Sequence, residues 1–393
     1  MKSFRRCLVV LTIALLIGAL ISCPETSSPK AWVVSTLAGD GTNDHRDGAG
    51  DQAQFSKPFG VATDSAGNLY VADKTNHRIR KIVLATGEVS TLAGDGRNNA
   101  GNADGGGFLD HETGTSAKFN SPSGVATDSA GENLYVADSN NHRIRKIELS
   151  GSYRVSTIAG DGRNDAGNAD GGGFRNHGTG TMARFNHPTC VAVDSAGENL
   201  YVADYNNHRI RKIVLSGNNP VSTLAGDGGH DGNPDRGGFR DHGTGTMARF
   251  DRPIGVALDS ADNLYVADTY NHRIRKIELS GSYRVSTIAG DGRNDASNAD
   301  GGGFRDHGTG TMARFDTPYC VAVDSSGENL YVADYNNHRI RKIVLSGNNP
   351  VSTIAGDGRT GQFNHPKGVT VDSSGNLYVA DSENHRIRKI MSP

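Results

Sequence analysis

Residues Asn199 to Ile213 read NLYVADYNNHRIRKI. A run rich in Leu, Tyr and Val halts at Asp204. Turn-forming Asn206 and Asn207 follow, and apolar side chains resume at Ile210. That is the grammar of strand, tight turn, strand. The word NHRIRKI occurs six times, starting at Asn76, Asn141, Asn207, Asn271, Asn337 and Asn384, each copy a few residues after N-L-Y-V-A-D. A P-x-[GC]-V-x-x-D run precedes each pair, as in Pro122 to Asp128. The word V-S-T-[LI]-A-G begins at Val34, Val89, Val155, Val221, Val285 and Val351. Glycine, at 52 of 393 residues, exceeds the ~7% norm and suits a chain dense in turns. D-S-A-G junctions supply a positive φ, and Asn and Asp at the second junction tolerate left-handed geometry. Beyond the first residues no segment shows helical spacing with caps at both ends. Four short strands per repeat, six times over, predict an all-β, six-bladed β-propeller with four-stranded blades.

The repeat pattern opens on V-S-T-L-A-G and closes on N-H-R-I-R-K-I. The first strand therefore has no blade ahead of it, and the last blade lacks its outer strand. Pairing Val33 to Gly39 with His385 to Ile390 repairs both and removes a raw sheet edge. The expected domain is a ring over residues 32–393.

These words resemble the NHL repeat, whose Asn-His-Leu reads Asn-His-Arg here, over Val33 to Ile390. The resemblance implies a six-bladed propeller that presents one face to a partner. It also implies a choice among roles: some members are extracellular sensors or bind RNA or protein, and a few relatives are metal-dependent lyases. Fold alone does not choose among them. The stretches Asn141 to Gly226 and Asn271 to Gly356 differ at only seven positions, including Gly167/Ser297, Asn176/Asp306 and Thr189/Tyr319. Such likeness reports a copied two-blade unit rather than a functional requirement.

Lys2, Arg5 and Arg6 precede an apolar run, Cys7 to Leu20, too short to span a bilayer comfortably. It ends in Leu20-Ile21-Ser22-Cys23, which resembles a bacterial lipobox. The expectation is a signal peptide over residues 1–22, a lipid on Cys23 and a polar tether over residues 23–31. The protein is then an envelope lipoprotein on the extracytoplasmic face, touching membrane through its lipid only, and a monomer. Removing the three basic residues takes the formal charge from −2 to −5. That mild, mixed charge argues against nucleic acid. Cys190 and Cys320 hold one repeat position in two blades. They are expected to stay apart as free thiols, beyond the ~7 Å that limits a disulfide.

Strand order puts the long outer-to-inner connections and the short Asp-x-x-Asn turns on one rim. Four connections are long: Asp95 to Lys118, Asp161 to Arg184, Asp227 to Arg249 and Asp291 to Arg314. Loops of that length tend to be functional or disordered. Three carry His177, His242 and His307 before Gly-Thr-Gly-Thr, and the first has Asp110 and His111. With Asp241 and Asp306, these are the ligand-binding candidates, expected to converge over the axis. The repeated His77, His142, His208, His272, His338 and His385 sit too far apart to share a metal and read as structural. Asp73 and its equivalents are expected to bind turn amides or pair with Arg78 and its equivalents. Asp231 to Asp235 begins a calcium-loop pattern, but Arg236 stands where its glycine belongs. No nucleotide motif and no catalytic triad stands out, and no cofactor is called for. The reading is a non-catalytic scaffold binding a protein or glycan by its loop-bearing rim. The alternative is a metal-dependent lyase or hydrolase using the loop histidines.

Overall fold

The computed structural model describes residues 31–97, 107–163, 174–228, 238–293 and 303–392. Cys23, its tether up to residue 30, the preceding apolar run and Asp231 to Asp235 lie outside them. The chain from Trp32 to Ser392 forms one unit. It opens with β1 (Val33–Ala38). The first complete blade follows as β2 (Pro58–Thr63), β3 (Asn68–Asp73), β4 (Arg78–Val83) and β5 (Val89–Ala93). The same four words give β6 (Pro122–Thr127) to β9 (Val155–Ala159), and β10 (Pro188–Val193) to β13 (Val221–Ala225). They recur as β14 (Val256–Leu258) to β17 (Val285–Ala289), and β18 (Pro318–Val323) to β21 (Val351–Ala355). Blade six is β22 (Pro366–Val371), β23 (Leu377–Asp381) and β24 (Arg386–Met391), completed by β1 in the order β1-β24-β23-β22. Val34 faces Ile390 and Ser35 faces Lys389 in antiparallel register. The ring closes as expected, by a strand from the start of the domain.

Each N-L-Y-V-A-D strand is buried on both faces because the blades pack face to face. The core is therefore a set of clusters between blades. Tyr70 and Ile79 of blade one meet Leu134, Val136 and Ile147 of blade two. Trp32 and Val34 pack into the cluster of blades five and six, with Trp32 edge-on to Tyr331 at 6.3 Å.

One polar device repeats inside this packing. Arg145 has no exposed surface, and its ion partner Asp138 has none either. Its Nη1 donates to Asp138 Oδ2 at 2.8 Å and to Lys118 O at 2.9 Å. Its Nη2 donates to Leu109 O at 2.9 Å and to Asp110 Oδ1 at 2.6 Å, and Nε reaches Asp110 Oδ1 at 3.1 Å. All five guanidinium N–H groups are thus used, over the Phe119 ring 4.9 Å away. Asp138 Oδ1 also accepts the Asn120 N–H at 2.7 Å. The turn-amide part of the reading holds, but the ion pair belongs to the second arginine of R-I-R-K. Arg80 pairs with Asp73, while Arg78 donates to the carbonyls of Asn76 and Asp95. Asp73 and Arg78 face each other in register, yet only a side chain two residues further along reaches back into the buried turn.

Blade three departs from this scheme. Asn176 stands where the other loops carry aspartate and accepts Arg211 Nη2 at 2.9 Å. Arg211 Nε then has no partner among the described residues.

The second junction also corrects an expectation. Its left-handed residue is the histidine, with φ from 52° to 55° at His77, His142, His208, His272, His338 and His385. Each imidazole then bridges to the next blade. His77 Nδ1 accepts the Ser121 N–H at 3.0 Å, and His142 Nδ1 accepts that of His187 at 3.1 Å. The series ends where His385 Nδ1 accepts the Lys57 N–H at 3.2 Å, joining blade six to blade one. The role is structural, as read, and it ties blade to blade.

A second correction concerns Cys190 and Cys320. Both are free thiols on inner strands and line the central channel, a cavity of about 220 Å³. They stand closer than expected: a Cβ added to Gly255, the ring residue between them, would come 2.7 Å from the Cys320 Cα. The inner strands converge more tightly at this level than strand spacing alone suggests.

Two outcomes are expected from these contacts. Arg211 already pairs with Asp204 at 2.8 Å. Asn176→Asp supplies the second carboxylate found in the other loops and should stabilise the fold by about 1–2 kcal/mol. An unchanged denaturant midpoint would reject that account. The second concerns pH. Burial lowers the His142 pKa to about 4, with His187 and Arg143 adding to it. The folded state therefore favours neutral His142, whose contribution is whole above ~6.5 and fades as pH falls toward 4. Between pH 7 and 4, wild-type stability should drop by up to about 3 kcal/mol more than that of His142→Asn. Parallel pH profiles for the two proteins would count against the imidazole link.

Candidate functional site

The structure does not bring the loop candidates together. His111 exchanges backbone hydrogen bonds of 3.1 and 2.8 Å with Val155, on the outermost strand of blade two. His177, His242 and His307 do the same with Val221, Val285 and Val351, on the outermost strands of three further blades. Each imidazole Nδ1 accepts the threonine N–H two residues on, at 2.9 Å. The expected convergence over the axis is overturned: the four histidines stand on the perimeter, one to a blade. Asp110, Asp241 and Asp306 bind the buried Arg145, Arg275 and Arg341 at 2.6–2.7 Å, and the backbone of Thr157, Thr287 and Thr353 at 3.0–3.1 Å. The loops are drawn outward because that is where a guanidinium needs a second carboxylate. Among the described residues no group of three or more His, Cys, Asp or Glu is placed to hold a metal.

Other side chains do meet, at the channel mouth on the rim of the Asp-x-x-Asn turns. Phe59 of blade one and Tyr319 of blade five lie 5.8 Å apart although their blades are not neighbours. Tyr319 stacks on Tyr335 at 4.2 Å and 18°, and Tyr335 leans on His365 at 4.5 Å. On the adjoining arc Tyr205 and Tyr270 meet edge to face at 6.4 Å, with Arg252 5.0 Å above Tyr270.

Cations outnumber anions in this cluster. Lys74 Nζ sits 4.6 Å over the Phe59 ring, and Lys367 Nζ is 5.7 Å from the rings of Phe59 and Tyr335. Glu383 pairs with Lys57 at 3.1 Å and with Lys367 at 3.6 Å. No carboxylate among the described residues pairs with Lys74. Burial and the neighbouring Lys367 ammonium bring the Lys74 pKa down to about 8, so it still carries most of its charge at neutral pH. An ammonium over an aromatic face, half out of water and lacking a counter-ion, is a ready anchor for an anionic ligand.

Residue reasoning passed over these positions because it followed what repeats. The signal lay in what does not repeat. After each inner-strand proline stand Phe59, Ser123, Thr189, Ile254, Tyr319 and Lys367. After each strand-ending aspartate stand Lys74, Ser139, Tyr205, Thr269, Tyr335 and Ser382. Of the seven differences between the copied two-blade units, three fall within four residues at this rim: Asn186/Asp316, His187/Thr317 and Thr189/Tyr319.

The NHL repeat family model matches residues 55–82, 119–147, 185–213, 250–277, 315–343 and 363–390, one segment in each blade. The chain is 30% identical over 312 residues to Protein SUPPRESSOR OF QUENCHING 1, chloroplastic, of Arabidopsis thaliana, covering 79% of this chain and 27% of that protein. It is 30% identical over 331 residues to NHL repeat-containing protein 2 of Gallus gallus, covering 80% of this chain and 42% of that one. The chain thus spans less than half the length of these curated relatives. A solved auxiliary nutrient binding protein from Bacteroides thetaiotaomicron shares the fold at a TM-score of 0.62 and 17% identity, over 92% of this chain and 76% of that one. With a matched segment in every blade and a ring closed by its own first strand, the chain is a six-bladed β-propeller of NHL repeats.

Proposed function

We propose that the protein is a non-catalytic binding propeller of the cell envelope that takes an acidic glycan at the channel mouth. The observation that carries this reading is the Lys74 ammonium, without a carboxylate partner, poised over Phe59 beside the stacked Tyr319 and Tyr335. Sugar rings offer C–H faces that pack on aromatic rings, and a uronic acid adds the charge that Lys74 lacks. The repeated Asp, Arg and His of the strands are engaged in holding the blades, which leaves the variable mouth residues for recognition. The solved relative described as nutrient binding is in keeping with a binding role.

The test is calorimetry with a galacturonate oligomer and its neutral galactose counterpart. The acidic oligomer should bind, the neutral one at least tenfold more weakly. Lys74→Met and Tyr319→Ala should each weaken binding tenfold or more, whereas perimeter His307→Ala should leave it unchanged. Equal binding of both sugars, or indifference to Lys74, would reject the reading.

The lipobox-like Leu20 to Cys23 supports attachment through a lipid on Cys23. No helix among the described residues is long and apolar enough to cross a membrane. Cys23→Ser should move the protein from the membrane fraction to the soluble one, and its retention on membranes would sink the lipid assignment.

A further inference from the structure

A tight ring encircles the channel at the third residue of each P-x-[GC]-V word: Gly60, Gly124, Cys190, Gly255, Cys320 and Gly368. A Cβ added to Gly124 would come 2.5 Å from the Cα of Cys190, and one on Gly255 would come 2.7 Å from the Cα of Cys320. With a carbon–carbon bond of about 1.5 Å, the Cα atoms of these two pairs lie no more than about 4 Å apart, and the six-fold repeat carries that spacing around the ring. Alternate corners of such a hexagon are then about 7 Å apart, at the edge of disulfide geometry. Cys190 and Cys320 are alternate corners, and Gly255 between them has no side chain to intervene. The thiols lean the same way around the ring, Cys190 Sγ toward blade four at 3.8 Å from Val256 O and Cys320 Sγ toward blade six at 3.7 Å from Val369 O. The bond therefore requires Cys320 to change rotamer and swing back across Gly255.

We propose that Cys190 and Cys320 are a redox modification site, forming a disulfide across the channel when the protein meets a small dialkyl disulfide. The bond joins blades three and five over blade four. Contact with the Cys320 thiol pulls the Cys190 pKa below its usual range and pushes that of Cys320 up, so Cys190 is the first nucleophile. Its thiolate attacks one sulfur of the oxidant, forming a mixed disulfide and expelling one alkyl thiolate. The Cys320 thiolate then attacks Cys190 Sγ and expels the second. Two protons pass from the protein thiols to the two expelled thiolates, and the oxidant leaves as two reduced thiols. Because Thr189 and Tyr319 directly precede these cysteines, the bond also pins the backbone that carries two mouth residues. The inference is independent of what the mouth binds.

Intact-mass analysis of the purified full chain after exposure to cystamine decides it. Wild type should lose about 2 Da, become resistant to iodoacetamide at both positions, and regain the mass on reduction. Tryptic mapping should join the peptides of Cys190 and Cys320. Closing so long a chain loop should also raise the melting temperature by several degrees. Cys190→Gly, which restores the residue found at the other four ring positions, should yield only a cysteamine adduct on Cys320. Cysteamine adducts on both cysteines of wild type, or an unchanged mass after prolonged exposure, would overturn the proposal.

Discussion

Five of the six blades bury an arginine with no exposed surface, a costly act unless every donor finds an acceptor. Arg145 meets that demand with two carboxylates from opposite sides. Asp138 comes from the neighbouring strand, and Asp110 comes from the connection entering the blade. The strands beside Arg145 offer no second carboxylate within its reach, and the one it binds, Asp110, comes from the loop. The incoming loop must therefore descend the outside of its own blade, as the pairing of His111 with Val155 records. Where the connection is too short, in blade six, Arg388 makes do with Asp381, the Gln362 carbonyl and the Ser35 carbonyl. Its side chain is correspondingly less buried, at 14% exposed.

This constraint explains which parts of the sequence could be read and which misled. The strands were legible because alternation, turn residues and a six-fold period all report local physics. Ring closure was legible because an orphan strand at one end and a missing strand at the other admit one economical solution. The path of a loop is another matter. His-Gly-Thr-Gly-Thr looks like a chemical motif, and only the position of the buried guanidinium shows that Asp241 and Asp306 are structural groups. The cysteines misled for a related reason. Strand spacing describes an average blade, whereas Gly124 and Gly255 let the inner strands approach more closely at one level.

With the frame so heavily specified, the residues free to differ acquire meaning. Phe59, Lys74, Tyr319, Tyr335 and Lys367 occupy positions whose side chain changes from blade to blade, with only Tyr335 repeated, as Tyr205, and they gather on one arc of the mouth. Blade two is low, with Ser123 and Ser139 at the two mouth positions, and its hydroxyls are satisfied within the ring. Ser123 donates to the Thr189 carbonyl at 2.7 Å, and the Thr189 hydroxyl donates to the Ile254 carbonyl at 3.1 Å. A mouth bulky and cationic around most of its rim and small at blade two has a direction, which a purely six-fold object lacks.

The means by which the ring tolerates this variety is visible in the residue before each inner-strand proline. Lys57, Ser121, His187, Arg252, Thr317 and His365 share almost nothing chemically, yet all hold φ between 48° and 56°. Each donates its backbone N–H to a histidine Nδ1 of the preceding blade, at 3.0–3.2 Å. That N–H exists on every residue except proline, so the contact closing the ring places little demand on the side chain. The invariant half of the bond is the histidine, fixed in every repeat. The other half is anonymous, and its side chain stands on the rim of the mouth. Structural duty assigned to the backbone is what frees these positions to differ, and a propeller can then be retuned for a new ligand without loosening the links between its blades.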